Sequence, residues 1–261
     1  MLTEESQSVR ARLAWRIRWI AVRLIASGVT GAVVFGLGGR LVMLASRFLH
    51  PDAVGRVTEN GNRIGEFTVE GTVALILFGA LFGGLIASFV WVVVKEWIPP
   101  HPALVGLGAT AIGGFMLIEA DNRDFVLLEG PAPDLLLLVG LLFAFGMVLH
   151  HVDRWLGSRL PEATGGIAIG LYSILAAAAV AMAVPTFGVF FARGFCACEH
   201  PPVWTGVFLA ATALVTLWWW ISHLKGKDAP SATMRLVGRS GVLLAVVAGT
   251  VGLTVAIVRI L

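Results

Sequence analysis

The densest set of reactive side chains in the chain is Cys196-Ala-Cys198-Glu-His200, followed by two prolines. In an extended segment, positions i, i+2 and i+4 point to one side. Two thiolates and an imidazole would then converge, a donor set that suits Zn or Cu. Cys196, Cys198 and His200 are therefore the candidate metal residues, although three ligands leave a site incomplete. Two other readings stay open for the same segment. One is a Cys-x-Cys disulfide, short and labile, in an oxidising compartment. The other is no special role.

Histidine offers a second set. His101, His150, His151 and His223 fall near one expected membrane face, and His50 and His200 near the other. No pair sits at the mid-depth where axial ligands of a buried haem would face one another. A cluster of His101, His150 and His223 is a further metal candidate. His-Glu-x-x-His, Gly-x-Ser-x-Gly and paired intramembrane aspartates are all missing from the sequence. No catalytic residue is assigned, and the chain does not read as an enzyme.

The elements that must position these residues follow from composition. Of 261 residues, 57% are hydrophobic and 13% charged, with a mean hydropathy of +0.87. An ordinary soluble domain has roughly 25% charged residues. This balance excludes a soluble globular enzyme, a disordered chain and a disulfide-framework domain, and two cysteines cannot staple a fold. A crossing helix needs about 20 mostly apolar residues. Seven segments approach that, at about 19–46, 72–94, 102–119, 134–150, 166–191, 203–222 and 240–260. The expected fold is an all-α polytopic bundle forming one transmembrane domain over 19–261. Residues 1–18 precede it as a cytoplasmic basic tail or interfacial helix. The first apolar run is too long for a cleaved signal segment and reads as a retained span.

Sorting the charges orients the bundle. Twelve of the 19 basic residues lie in the N-terminal tail and on the connections that share its side, against seven on the other. By the positive-inside rule the N-terminus is cytoplasmic and the C-terminus extracytoplasmic. The basic residues are scattered between apolar runs, so nucleic acid is not an expected partner. Arg23 and Arg40, in the first span, are expected to snorkel to opposite interfaces, leaving the spans almost bare of charge. That disfavours proton-coupled transport, which usually needs intramembrane ionisable groups.

On the outer side, Val54-Gly-Arg-Val-Thr58, Glu59-Asn-Gly-Asn62 and Arg63-Ile-Gly-Glu-Phe-Thr68 predict a small β-hairpin turning at Asn60-Gly61. Gly79-x-x-x-Gly83 and Gly166-x-x-x-Gly170 match the small-residue spacing that lets helices approach closely in lipid. They serve packing within the bundle, a homo-oligomer or a protein partner. Two stretches, Gly65-Glu-Phe-Thr-Val-Glu-Gly-Thr72 and Asn122-Arg-Asp-Phe-Val-Leu-Leu128, resemble uncharacterised multi-spanning membrane proteins of high-GC bacteria over roughly the first 150 residues. The resemblance implies a bacterial plasma membrane location and carries no activity or functional residue.

The functional expectation is a non-enzymatic accessory or scaffold subunit of a membrane complex. A transporter or lipid-handling protein for an apolar or neutral substrate is the alternative. An extracytoplasmic redox or metal sensor built on Cys196, Cys198 and His200 is the third reading.

Overall fold

The structure is a computed structural model and describes residues 4–57, 63–66, 68–120, 122–192 and 202–261. It is an all-α bundle of α1 (Glu4–Gly31), α2 (Gly39–Leu49), α3 (Val69–Phe78), α4 (Ile86–Val94), α5 (Pro102–Gly113), α6 (Ala132–Arg159), α7 (Gly166–Ala181), α8 (Ala183–Phe191), α9 (Val203–Leu224) and α10 (Ala232–Ile260). Several of these join end to end. Among the described residues, six helical runs are long and apolar enough to cross a membrane, namely Val9–Leu49, Val69–Val94, Ala132–Arg159, Gly166–Phe191, Val203–Leu224 and Ala232–Ile260. The expected segment 102–119 gives a shorter apolar helix, Pro102–Met116, because α5 tightens into a 3-10 turn at Gly114–Met116.

The runs alternate in direction. The near end carries the start of α1 and the connections that follow α4, α6 and α9. The far end carries the connections that follow α2 and α5, and the C-terminus. Where a β-hairpin was expected, the described residues contain no strand. They show one isolated antiparallel bridge between Val57 and Arg63, with Gly55 N–H donating to the Ile64 carbonyl and Ile64 N–H to that of Arg56, both at 3.0 Å. Asn60 and Gly61 lie outside the described residues.

The first run is the centre of the molecule. Its most apolar window is 61% buried, against 17–33% for the other five. The cause lies in the side chains. Ala21, Val22, Ala26, Ser27, Thr30 and Gly31 are small and almost fully enclosed, so α6, α7 and the second run can close on α1 from several sides. Large apolar side chains such as Ile167, Leu136 and Leu214 point outward, as lipid-facing residues do when the solvent is itself apolar.

Two π-helical turns face each other at the heart of this contact, Ala32–Gly38 between α1 and α2 and Gly79–Leu85 between α3 and α4. A π turn adds one residue to the helical ladder and shifts the faces on either side. Here the shift brings glycine backbones together. A Cβ on Gly84 would lie 2.6 Å from the Ser27 carbonyl oxygen and 2.8 Å from Gly28 Cα, and one on Gly36 would lie 2.7 Å from Ile76 Cα. Gly79 meets the Gly31 backbone, and Gly83 takes the Phe35 ring. The Gly79-x-x-x-Gly83 spacing thus serves packing inside one bundle. Two of the buried threonines bond back along the helix: Thr186 donates to the Met182 carbonyl at 2.6 Å and Thr212 to that of Phe208 at 2.8 Å.

Gly84→Ala must push two backbones apart, whereas Gly140 has no neighbouring atom within 4 Å of an added Cβ. Overpacking of this kind costs about 1–3 kcal/mol. Thermal unfolding in detergent should show a lowered midpoint for Gly84→Ala and none of that loss for Gly140→Ala.

Candidate functional site

Five charged side chains meet at the near end. Arg16 and Arg23 come from α1, Lys95 and Glu96 from the end of α4, and Asp153 from the last two turns of α6. Arg16 and Arg23 are seven residues apart, two helical turns, and so lie on one face of α1. Trp19 lies between them on that face. Its ring is covered by the Arg23 guanidinium at 4.1 Å and the Arg16 guanidinium at 5.3 Å. Rings of this kind attract cations, most strongly when water is excluded.

The acids complete the set. Arg23 Nε lies 3.3 Å from Asp153 Oδ1, and the Lys95 ammonium contacts Asp153 Oδ2. Arg16 Nη1 donates to Glu96 Oε1 at 2.5 Å, and Trp219 Nε1 of α9 donates to Glu96 Oε2 at 3.3 Å. Arg23 also donates to the Trp19 carbonyl at 2.8 Å. Asp153 is 1% exposed, Arg16 5% and Arg23 8%. Carboxylates enclosed to this degree persist as charges only when paired.

Surrounding contacts fix the same end. Trp97 Nε1 donates to Thr216 Oγ1 at 2.8 Å, and the Thr216 hydroxyl donates to the Val93 carbonyl at 3.0 Å, tying α9 to α4. Arg18 donates to the carbonyls of Gly157, Leu160 and Pro161. These carbonyls lie in the last turn of α6 and just beyond it, where helical partners are lacking.

This differs from the sequence expectation for the first span. Arg23 does not snorkel to an interface; it is turned inward onto Asp153. The physical reason is the size of its neighbours. With small residues on α1, α6 and the end of α4 come close enough for a carboxylate and an ammonium to reach the guanidinium, so internal pairing replaces solvation. The signal was present as Arg16-x-x-Trp19-x-x-x-Arg23, one helical face bearing two cations and an aromatic. Its acidic partners lie 73 or more residues further along the chain, and their approach is a property of the fold.

A second buried pair closes the far end. His50, just after α2, places Nε2 2.5 Å from Asp134 Oδ2 in the first turn of α6, and both residues are buried. Nearby, Arg56 donates to the Leu127 carbonyl at 3.1 Å and Arg47 to the Gly65 carbonyl at 3.0 Å. The pair joins the end of the first run to the start of the third.

Cys196, Cys198 and His200 lie outside the described residues. The histidine set does not assemble. His101 is exposed, His150 is buried beside His151 with ring centroids 5.5 Å apart, and His223 packs against Trp15 and Trp219. Among the described residues, no group of three His, Cys, Asp or Glu side chains is placed to hold a metal ion.

No family model, curated protein or solved structure matches the chain.

What this arrangement does chemically is to hold helices. Asp153 binds α6 to α1 and α4, and Glu96 binds α4 to α1 and α9. Breaking a buried ion pair from one side costs about 3–5 kcal/mol, because the partner charge stays enclosed. Asp153→Ala should therefore destabilise the protein by about that amount in a tryptophan-monitored unfolding titration. Removing the exposed Arg259 with Arg259→Ala should have little effect. In a cycle with Arg23→Gln, the double variant should cost less than the two single losses added together.

Proposed function

We propose that this protein is a non-enzymatic accessory or scaffold subunit of a larger complex in the bacterial plasma membrane. The observation that carries this reading is the use made of the buried charge. Arg16, Arg23, Lys95, Glu96 and Asp153 are engaged with one another across three helices, and Trp219 ties in a fourth, so the polar groups within the bundle rigidify it. The glycine contacts between the first two runs support the same reading, since they fill the interior with backbone. A rigid body with apolar outer faces is suited to holding neighbours in place.

The reading includes seven crossings with the N-terminus in the cytoplasm. The seventh is α5 with its 3-10 turn, about 24 Å long by helical rise. It packs against α6 and α10 and leads to the far-end cluster of Ile118, Phe125, Leu135 and Leu253. Neighbouring helices would shield its short span. The Val57–Arg63 bridge supports an outer hairpin flap over the far end. For a partner, the available small-residue face is that of Gly166 and Gly170 on α7, where an added Cβ would meet nothing within 4 Å.

A transporter or lipid-handling role for an apolar or neutral substrate is the second reading. The paired π turns favour it, because such turns recur at functional sites.

Purification in mild detergent should recover the protein with a stable partner chain or as a homo-oligomer. A protein that always runs alone as a monomer contradicts the scaffold reading. For the topology, single cysteines introduced into a cysteine-free background report each side. Gly130→Cys should react with an impermeant maleimide in intact cells and Lys227→Cys only after lysis; the reverse pattern contradicts the orientation.

A further inference from the structure

Where α9 packs on α10 near their connection, the surface carries a shallow apolar groove. It is lined by Leu214, Val215 and Trp218 of α9 and Thr233, Met234 and Val237 of α10. Leu214 and Trp218 are largely exposed. Lys225 follows Trp218 by seven residues, so the mouth of the groove lies about 10 Å further along the same helical face.

That mouth is basic. Lys225 and Lys227 stand exposed on the connection, with Asp228 as the one acid beside them, whereas Arg235 and Arg239, two positions on from Thr233 and Val237, lie on the opposite face of α10. Among the described residues neither lysine is in an ion pair. Elsewhere at the near end Arg16, Arg23 and Lys95 are neutralised by carboxylates and Arg18 is committed to the end of α6, while Arg10, Arg12, Arg154 and Arg159 are, like these lysines, outside the ion pairs of the described residues. What marks this corner is the groove: unpaired lysines stand at its open end, about 10 Å beyond the exposed Trp218 ring.

A slot that accepts hydrocarbon, opening onto cations at the depth of an aromatic belt, matches the shape and charge of a phospholipid with an anionic headgroup. We propose that the α9–α10 corner binds an anionic glycerophospholipid, one acyl chain lying in the groove along Trp218 and the headgroup phosphate meeting Lys225 and Lys227. The site does not depend on the scaffold reading or on the orientation of the chain, since it needs only that this end face a leaflet containing such lipid.

The test is native mass spectrometry of delipidated full-length protein, incubated with equimolar dioleoyl phosphatidylglycerol and dioleoyl phosphatidylcholine. The expected result is one retained phosphatidylglycerol, favoured over phosphatidylcholine about thirtyfold, as two lysines near a headgroup supply. The Lys225→Gln/Lys227→Gln double variant should lose the preference. Val237→Trp, which fills the groove, should lower retention of both lipids. All the substituted residues are exposed, so unfolding midpoints should match that of the parent chain. Equal retention of the two lipids by the parent protein overturns the proposal. So does a preference that survives in the lysine double variant, or retention unaffected by Val237→Trp.

Discussion

A carboxylate enclosed between helices, away from water, must be paired, and Asp153 carries that constraint for the whole bundle. It is the most enclosed charged residue described, and it answers two cations at once, one from α1 and one from the end of α4. Glu96 repeats the arrangement one step away with Arg16 and Trp219. Because each acid needs partners from more than one element, the relative placement of α1, α4, α6 and α9 at the near end is determined jointly. A shift of α1, α4 or α6 breaks an ion pair, and a shift of α9 removes the indole hydrogen bond to Glu96.

The constraint can be met only because the helices approach closely, and that depends on small residues. Ser27, Gly31 and Gly36 on the first run face Gly79, Gly84 and Ile76 on the second. The two π turns set the rotation at which these surfaces meet. In lipid, burial of apolar area gives no advantage to helix association, so packing and internal polar contacts must supply it. The glycine seam supplies the first and the ion network the second. The His50–Asp134 pair adds a tie at the other end between the first and third runs.

Much of this architecture could be read from residue order, and the limit has a physical cause. Six of the seven expected apolar segments appear as helices long enough to cross, because span length is a local property of the chain. The 102–119 segment falls short because Gly113 and Gly114 let the helix tighten and stop. The Gly79–Gly83 spacing could be recognised as a packing motif, but its partner, Phe35 and the Gly31 backbone, could not. Sorting the basic residues put Arg16, Arg23 and Lys95 on one side, and they do share one end, but nothing in their order singled out Glu96 or Asp153 as partners. The same sorting failed on Arg23, treated as solvated, since burial there arises from helices distant in sequence. Cys196, Cys198 and His200 stand outside the described residues, so the chemistry first suggested for them rests on their order alone.

The Asp153 network holds α1 against α4 and α6. The direct measurement is hydrogen–deuterium exchange of the protein in detergent, compared with Asp153→Asn. Loss of the shared carboxylate should raise exchange together in three separated stretches, around residues 16–24, 91–97 and 149–156. Increased exchange confined to the neighbourhood of residue 153, with α1 and α4 unchanged, would contradict it.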